Sequence, residues 1–197
     1  DQGQLTSQIL GPLRKVVSYV EQGIVPIYVF DGHRHALKQV ARDERRQRLV
    51  KALDQVEDLV PDTPGWVKAY QASYYVTQPD IDLVIHLLDL MGIPHLTAPL
   101  EADPVCVYLT TLRDDEGTRL VKGVCSEDTD MLPLGCQFTF RRMSGHLSDS
   151  SQLEIVRLSR ILADTGLELD EFRDLCVLLG TDYNRNPRGI GPKRAYA

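Results

Sequence analysis

Three short apolar runs in this chain stop abruptly at carboxylates, and that repeated design restricts the fold more than any other feature. IVPIYVF (24–30) runs into Asp31 and Gly32, HLTAP (95–99) into Glu101 and Asp103, and LVKGVC (120–125) into Glu127, Asp128 and Asp130. An apolar run of about four to eight residues bounded by turn residues has the pattern of a strand buried on both faces. In open α/β sheets, ligands bind just beyond the carboxyl ends of such strands, so acids there are candidate site residues. The plainer readings are a D-G turn at Asp31, dipole partners at a helix N-terminus for Glu101 and Asp103, and a solvated acidic turn at Asp128 and Asp130.

Helical patterns separate these runs, so the expected class is α/β, a central, mostly parallel sheet flanked by helices. Ile9, Leu13, Val16, Val17 and Val20 form the apolar face of a helix over 8–22 that Gly23 ends. From His33 to about Leu59 no residue breaks a helix, PDTPGW (61–66) reads as a turn, and WVKAYQASYYV follows with aromatics suited to a helix core or to covering a substrate. Thr77 with Asp80 makes a capping box for a helix carrying Ile81, Val84, Ile85, Leu88 and Met91 inward to Gly92. A helix is expected over 105–112, with Pro104 in its first turn, and QFTFRRM alternates as a strand does. Ser151 with Glu154 reads as a second capping box, opening a helix that Gly166 closes; LDEFRDLCVLL is a further helix ending at Gly180, with Asp182 two residues beyond.

Composition narrows the chemistry. With 197 residues, 43% hydrophobic and 25% charged, the chain has the make-up of one globular unit. Cys106, Cys125, Cys136 and Cys176 are widely spaced and no H-E-x-x-H occurs, which argues against zinc and against a disulfide framework and favours reduced thiols inside the cell. No apolar run approaches the ~20 residues needed to cross a bilayer. Net charge is −6, yet Arg34, Lys38, Arg42, Arg45, Arg46, Arg48 and Lys51 crowd one stretch, and Arg185, Arg188, Lys193 and Arg194 another. Arg34, Lys38, Arg42 and Arg46 recur every four residues along one helix side, either a solvated face or a polyanion contact.

If Asp31, Glu101, Asp103, Asp128, Asp130 and Asp182 share one cleft, they need cations. Two unit charges ~5 Å apart repel by about 3 kcal/mol at an effective dielectric of 20. All-oxygen ligation selects Mg²⁺ or Mn²⁺, and several shared carboxylates suit two ions about 4 Å apart, the arrangement that serves in-line phosphodiester displacement. In LLGTDYNRNPRGIGPKRA, Gly189 and Gly191 let backbone N–H groups approach a phosphate, and Lys193 and Arg194 add charge without reading bases.

YVFDG, MGIP with its following AP-x-EA, SEDTDML, LLGTDY and RGIGPKRA, in this order across nearly the whole chain, resemble the flap endonuclease family of structure-specific 5′ nucleases. The resemblance implies Mg²⁺-dependent hydrolysis of DNA at the junction of a 5′ flap and duplex, in replication or repair. Localisation would be nuclear in a eukaryote and cytoplasmic otherwise, with no membrane partner. It carries the metal ligands onto Asp31, Glu101, Asp103, Asp128, Asp130 and Asp182, and the arch cations that meet the scissile phosphate onto Lys38 and Arg42. Arg34, Arg45 and Arg46 become further DNA contacts, and Gly189, Gly191, Lys193 and Arg194 a duplex-binding hairpin that also holds K⁺. The implied layout is a nuclease core over 1–150, with a helical arch at about 33–76, and a helix-hairpin-helix-like region over 151–197.

Position 103 is Asp where the family has Glu, and the arch is spaced differently after Lys38. Because the family's first strand and its metal-binding Asp precede the matched region, the expectation is roughly 30 to 60 further residues upstream and little activity from these 197 alone. The stretches matched contain no counterpart of the family's clamp-binding tail, so sliding-clamp binding is not legible. A non-catalytic nucleic-acid binder of the same fold and a Mg²⁺-dependent phosphohydrolase of small substrates are the alternatives; the second leaves the arginine stripe and glycine hairpin without a role.

Overall fold

A computed structural model describes residues 7–33, 36–142 and 153–197. Its architecture is α/β, as the alternation of apolar runs and helical patterns requires. Two parallel strands, β1 (Tyr28–Phe30) and β2 (His95–Thr97), pair with Tyr28 opposite His95 and Phe30 opposite Thr97. A second sheet has β3 (Val124–Cys125) parallel to β4 (Phe138–Arg141), and β4 antiparallel to β5 (Glu154–Arg157). The single central sheet expected from sequence is thus two hydrogen-bonded sheets among the described residues. The Tyr19 hydroxyl, from the helix that precedes β1, shares a hydrogen bond at 3.6 Å with Cys125 Sγ at the end of β3.

The strands are shorter than the apolar runs that announce them. Residues 24–27 and 120–123 lie outside the ladders, because Pro26 has no N–H to donate and Gly123 is pressed against β4. Glu154, read from sequence as a helix-capping acid, pairs opposite Arg141 in β5 instead. Ser151, its supposed partner, lies outside the described residues. A four-residue polar pattern does not distinguish a cap from an edge strand when the deciding partner, Arg141 of β4, lies outside that window.

Helix α1 (Ser7–Glu21) ends before Gly23, at φ 74°, and packs on α4 (Gln78–Leu90) through fully buried Val16 and Leu88. The anticipated face is rotated: Ser18 and Tyr19 are buried while Val17 and Val20 are 40% and 52% exposed. Gln22 makes burial of Ser18 tolerable by donating to its carbonyl at 2.9 Å and its hydroxyl at 3.2 Å. At α4 the capping box forms as read, with Thr77 N–H donating to the Asp80 carboxylate at 2.8 Å and Asp80 N–H donating back to the Thr77 hydroxyl.

The stretch expected as one helix from His33 is a 3₁₀ turn at Ala36–Lys38 leading into α2 (Gln39–Asp58). Packed on it is α3 (Pro64–Ser73), which begins inside the segment read as a turn: Thr63 caps it and Pro64 takes the first position, where a missing N–H is harmless. Small buried residues, Ala52 on α2 and Ala69 on α3, let the two helices approach closely. Trp66 stacks on Tyr70 at 4.9 Å, so these aromatics form a helix-surface pair.

Under the carboxylates lies a compact core of Val107, Val124, Met131 and Cys136, with Cys106 against it. Val107 belongs to α5 (Ala102–Leu109), which starts earlier than expected with Glu101 at its cap, and Met131 to a 3₁₀ turn at Thr129–Met131. This cluster locks α5 to β3 and so determines where Asp103, Asp128 and Asp130 stand. Beyond β5 come α6 (Leu158–Thr165), ended by left-handed Gly166, then α7 (Leu169–Leu179) and the short α8 (Pro192–Tyr196). Among the described residues no helix is long and apolar enough to cross a membrane.

Candidate metal centre and nucleic-acid interface

Each carboxylate is delivered by the end of an element. Asp31 follows β1 and accepts a hydrogen bond from Ala102 N–H, the first residue of α5, at 2.8 Å. That bond ties the β1 terminus to the helix carrying Glu101 and Asp103. Asp128 caps the turn after β3, accepting from Asp130 N–H at 2.9 Å while its own N–H donates to Ser126 Oγ at 3.0 Å. Asp182 follows α7 beyond Gly180. Glu127 turns away, accepting from Arg142 N–H at 2.6 Å with Arg141 nearby.

The six acids form one electrostatic unit. Asp103 is held above the ordinary carboxylate range by burial first, then by the charges of Asp128, Asp31 and Glu101, with Lys38 opposing. Asp130 is raised in the same way by burial and by Asp128, Asp182 and Glu101. Burial, followed by the Asp103 charge, pushes the neighbouring Cys106 thiol up to about 11.

Lys38 is the cation at the centre of this field. Its Nζ lies 2.7 Å from Glu101 Oε2 and 3.6 Å from Asp182 Oδ2, and 4.9 Å above the Tyr183 ring. Burial works against the Lys38 charge, yet the hydrogen bond to Glu101 and the charges of Glu101, Tyr183 and Asp182 outweigh it and hold the ammonium above its usual range. Tyr183, which sequence reasoning passed over, donates its hydroxyl to Glu101 Oε2. The available signal was its place directly after a candidate ligand in LLGTDY.

Arg45 reaches the same rim, Nη2 lying 2.9 Å from Asp182 Oδ2. Sequence spacing had paired Lys38 with Arg42. Arg42 lines a groove of about 640 Å³ between α2 and the end of α3, with Arg46, Arg48, Tyr74 and Tyr75. At 3.6 residues per turn a seven-residue step returns within about 20° of its start and a four-residue step within about 40°, so Arg45 lines up with Lys38 more nearly than Arg42 does. Arg34 lies outside the described residues.

At the C-terminal end, Gly189 takes a left-handed φ of 84°, and Arg194 folds back to donate to its carbonyl at 2.9 Å. Gly191 caps α8, which carries Lys193. Asn186 braces the loop, donating to Leu178 and Ile190 carbonyls at 3.1 and 2.8 Å.

For a divalent ion the donor set fits in kind, being carboxylate oxygen throughout. In spacing it is looser than expected, since no three acidic, His or Cys side chains among the described residues stand close enough to hold one ion. Lys38 and Arg45 engage Glu101 and Asp182.

The arrangement has known counterparts. Residues 92–182 match the XPG I-region family model. Flap endonuclease 1 of Ovis aries is 37% identical over 198 residues, 99% of this chain and 50% of that protein; the protein of the same name from Homo sapiens is 36% identical with the same coverage. The chain therefore spans about half the length of these relatives. Among solved structures, the catalytic core of Rad2 in complex with DNA substrate superposes with a TM-score of 0.70 at 28% identity, covering 96% of this chain and 51% of that one. Flap endonuclease-1 from Methanococcus jannaschii gives 0.68 at 31% identity, covering 99% and 60%. Carboxylates at strand ends beneath a basic helical hairpin thus define the nuclease fold shared with Rad2 and the flap endonucleases. Over nearly its whole length the chain is similar to the flap endonucleases.

Proposed function

We propose that this chain is the core of a structure-specific 5′ nuclease that hydrolyses DNA phosphodiesters near a single-strand/duplex junction, in replication or repair. The observation that carries this reading is the convergence of Asp31, Glu101, Asp103, Asp128, Asp130 and Asp182 on one rim faced by Lys38 and Arg45. Those carboxylates would hold Mg²⁺, with Mn²⁺ able to substitute; when bound, such ions activate water and neutralise charge building on the phosphate. Lys38, seated over the Tyr183 ring, would meet the scissile phosphate. Arg34, Arg42 and Arg46 would bind the single strand. Gly189, Gly191, Lys193 and Arg194 would grip the duplex backbone through N–H groups and charge, at a loop suited to K⁺. The layout proposed is a nuclease core over 1–150, including the arch, and a duplex-binding region over 151–197. A eukaryotic source would place the protein in the nucleus, any other in the cytoplasm.

A panel of 5′ flaps, nicked duplexes, bubbles and RNA-tailed flaps in Mg²⁺ tests this, using the protein with its native flanking sequence. Junction-dependent products bearing 5′-phosphates are expected. Hydrolysis of a phosphate monoester without any cleavage of junction DNA would favour a small-substrate phosphohydrolase instead.

A further inference from the structure

We infer that α2 is latched across the carboxylate rim by its own cations, so that a divalent ion gains Asp182 and Glu101 only by displacing Arg45 and Lys38. The inference rests on the metal-dependent reading above and adds a closed, metal-free state to it. Lys38 and Arg45 are seven residues apart, close to two turns, which brings both to one rim. Lys38 engages Glu101 at 2.7 Å and Asp182 at 3.6 Å, and Arg45 engages Asp182 at 2.9 Å. A third pair runs in the opposite sense: Glu44 of α2 meets Arg185, three residues beyond Asp182, at 3.8 Å. The hold of α2 on the segment after α7 is therefore ionic and crosses the candidate site.

The latch is weak by design of its surroundings. The Arg45 side chain is 68% exposed and that of Asp182 32%, so solvent and salt screen the pair. A doubly charged ion ligated directly by the carboxylates outcompetes such a pair. The acids are also spread too widely to hold an ion in common among the described residues, so taking one requires the rim to tighten, and releasing the arginine frees Asp182 to do so.

The test uses the full chain without DNA and without turnover. Hydrogen exchange over residues 39–58 and Mn²⁺ affinity are measured for the native protein, Arg45→Gln and Glu44→Gln. Without metal, both variants should exchange several-fold faster in the first half of α2. Arg45→Gln should bind Mn²⁺ about two- to fivefold tighter, the scale of one exposed ion pair. Adding Mn²⁺ to the native protein should reproduce the fast exchange of metal-free Arg45→Gln. Unchanged exchange in both variants alongside normal Mn²⁺ binding overturns the latch and leaves the nuclease reading intact. Faster exchange with unchanged or weaker Mn²⁺ binding overturns the competition. No Mn²⁺ binding by any form overturns the displacement together with the metal-dependent reading.

Discussion

Replacing Gly32 by alanine should disable the site from its foundation. Gly32 follows Asp31, and a Cβ there would fall 1.8 Å from the Ala98 carbonyl oxygen and 3.0 Å from the backbone carbons of Ala98 and Pro99. All three neighbours are backbone, so no side chain can turn aside, and the two segments must part by roughly 1 Å, an overpacking strain of about 1–3 kcal/mol. Parting them also stretches the bonds from Gly32 N–H to Leu100 and from His33 N–H to Pro99, now 2.6 and 3.2 Å, each about 1 kcal/mol. The combined loss is about 3–5 kcal/mol, a large share of the ~5–15 kcal/mol that holds a domain folded. With a urea m-value of about 2 kcal/mol/M, the midpoint should drop by about 2 M. The same movement carries Asp31 away from Ala102 and the α5 acids, and a 1 Å misplacement costs about 10²-fold in rate. Urea unfolding and single-turnover cleavage of a 5′ flap give the two readouts. Gly65→Ala is the control: it sits in the first turn of α3 and its Cβ meets only the Leu59 methyls at 3.8 and 3.9 Å, ordinary contact, so it should gain about 0.5–1 kcal/mol. A Gly32→Ala protein that unfolds within about 0.5 kcal/mol of the native form and cleaves at full rate would refute the reasoning.

Asp128→Asn should abolish cleavage yet leave the fold and flap binding within a few-fold, because an Asn oxygen still caps the Thr129–Met131 turn while the ligand charge is gone; parallel loss of binding and activity contradicts this. Lys38→Ala should slow single-turnover cleavage more than it weakens binding. Lys193→Ala and Arg194→Ala should instead weaken binding and flatten its salt dependence by about one counterion each. Leu88→Ala, at a fully buried position between α4 and α1, should lose about 2–5 kcal/mol in urea unfolding. Iodoacetamide mapped by mass spectrometry should label exposed Cys125 well before Cys136, which is 0% exposed; equal labelling would mean the core under the carboxylates opens.

The sequence by itself determined those features whose cause is local. The Thr77–Asp80 box, the glycine stops at Gly23, Gly92 and Gly166, and acids placed just past apolar runs all follow from neighbours within about four residues, and each appears as read. The resemblance of five ordered stretches was likewise legible, because backbone geometry at a strand end or a glycine turn constrains residue type directly. What tertiary structure alone decided depends on partners distant in the chain. Glu154 became a strand residue because β4 offered it a ladder, and the 24–30 run was cut to Tyr28–Phe30, the residues that 95–97 come to lie beside. Ser18 and Tyr19 displaced Val17 and Val20 from the buried face of α1 because α4 approaches from one side. Arg45 reached Asp182 and Tyr183 found Glu101, across 137 and 82 residues of chain. Periodicity records which face of an element is apolar; which charge meets which carboxylate is decided by how the elements pack.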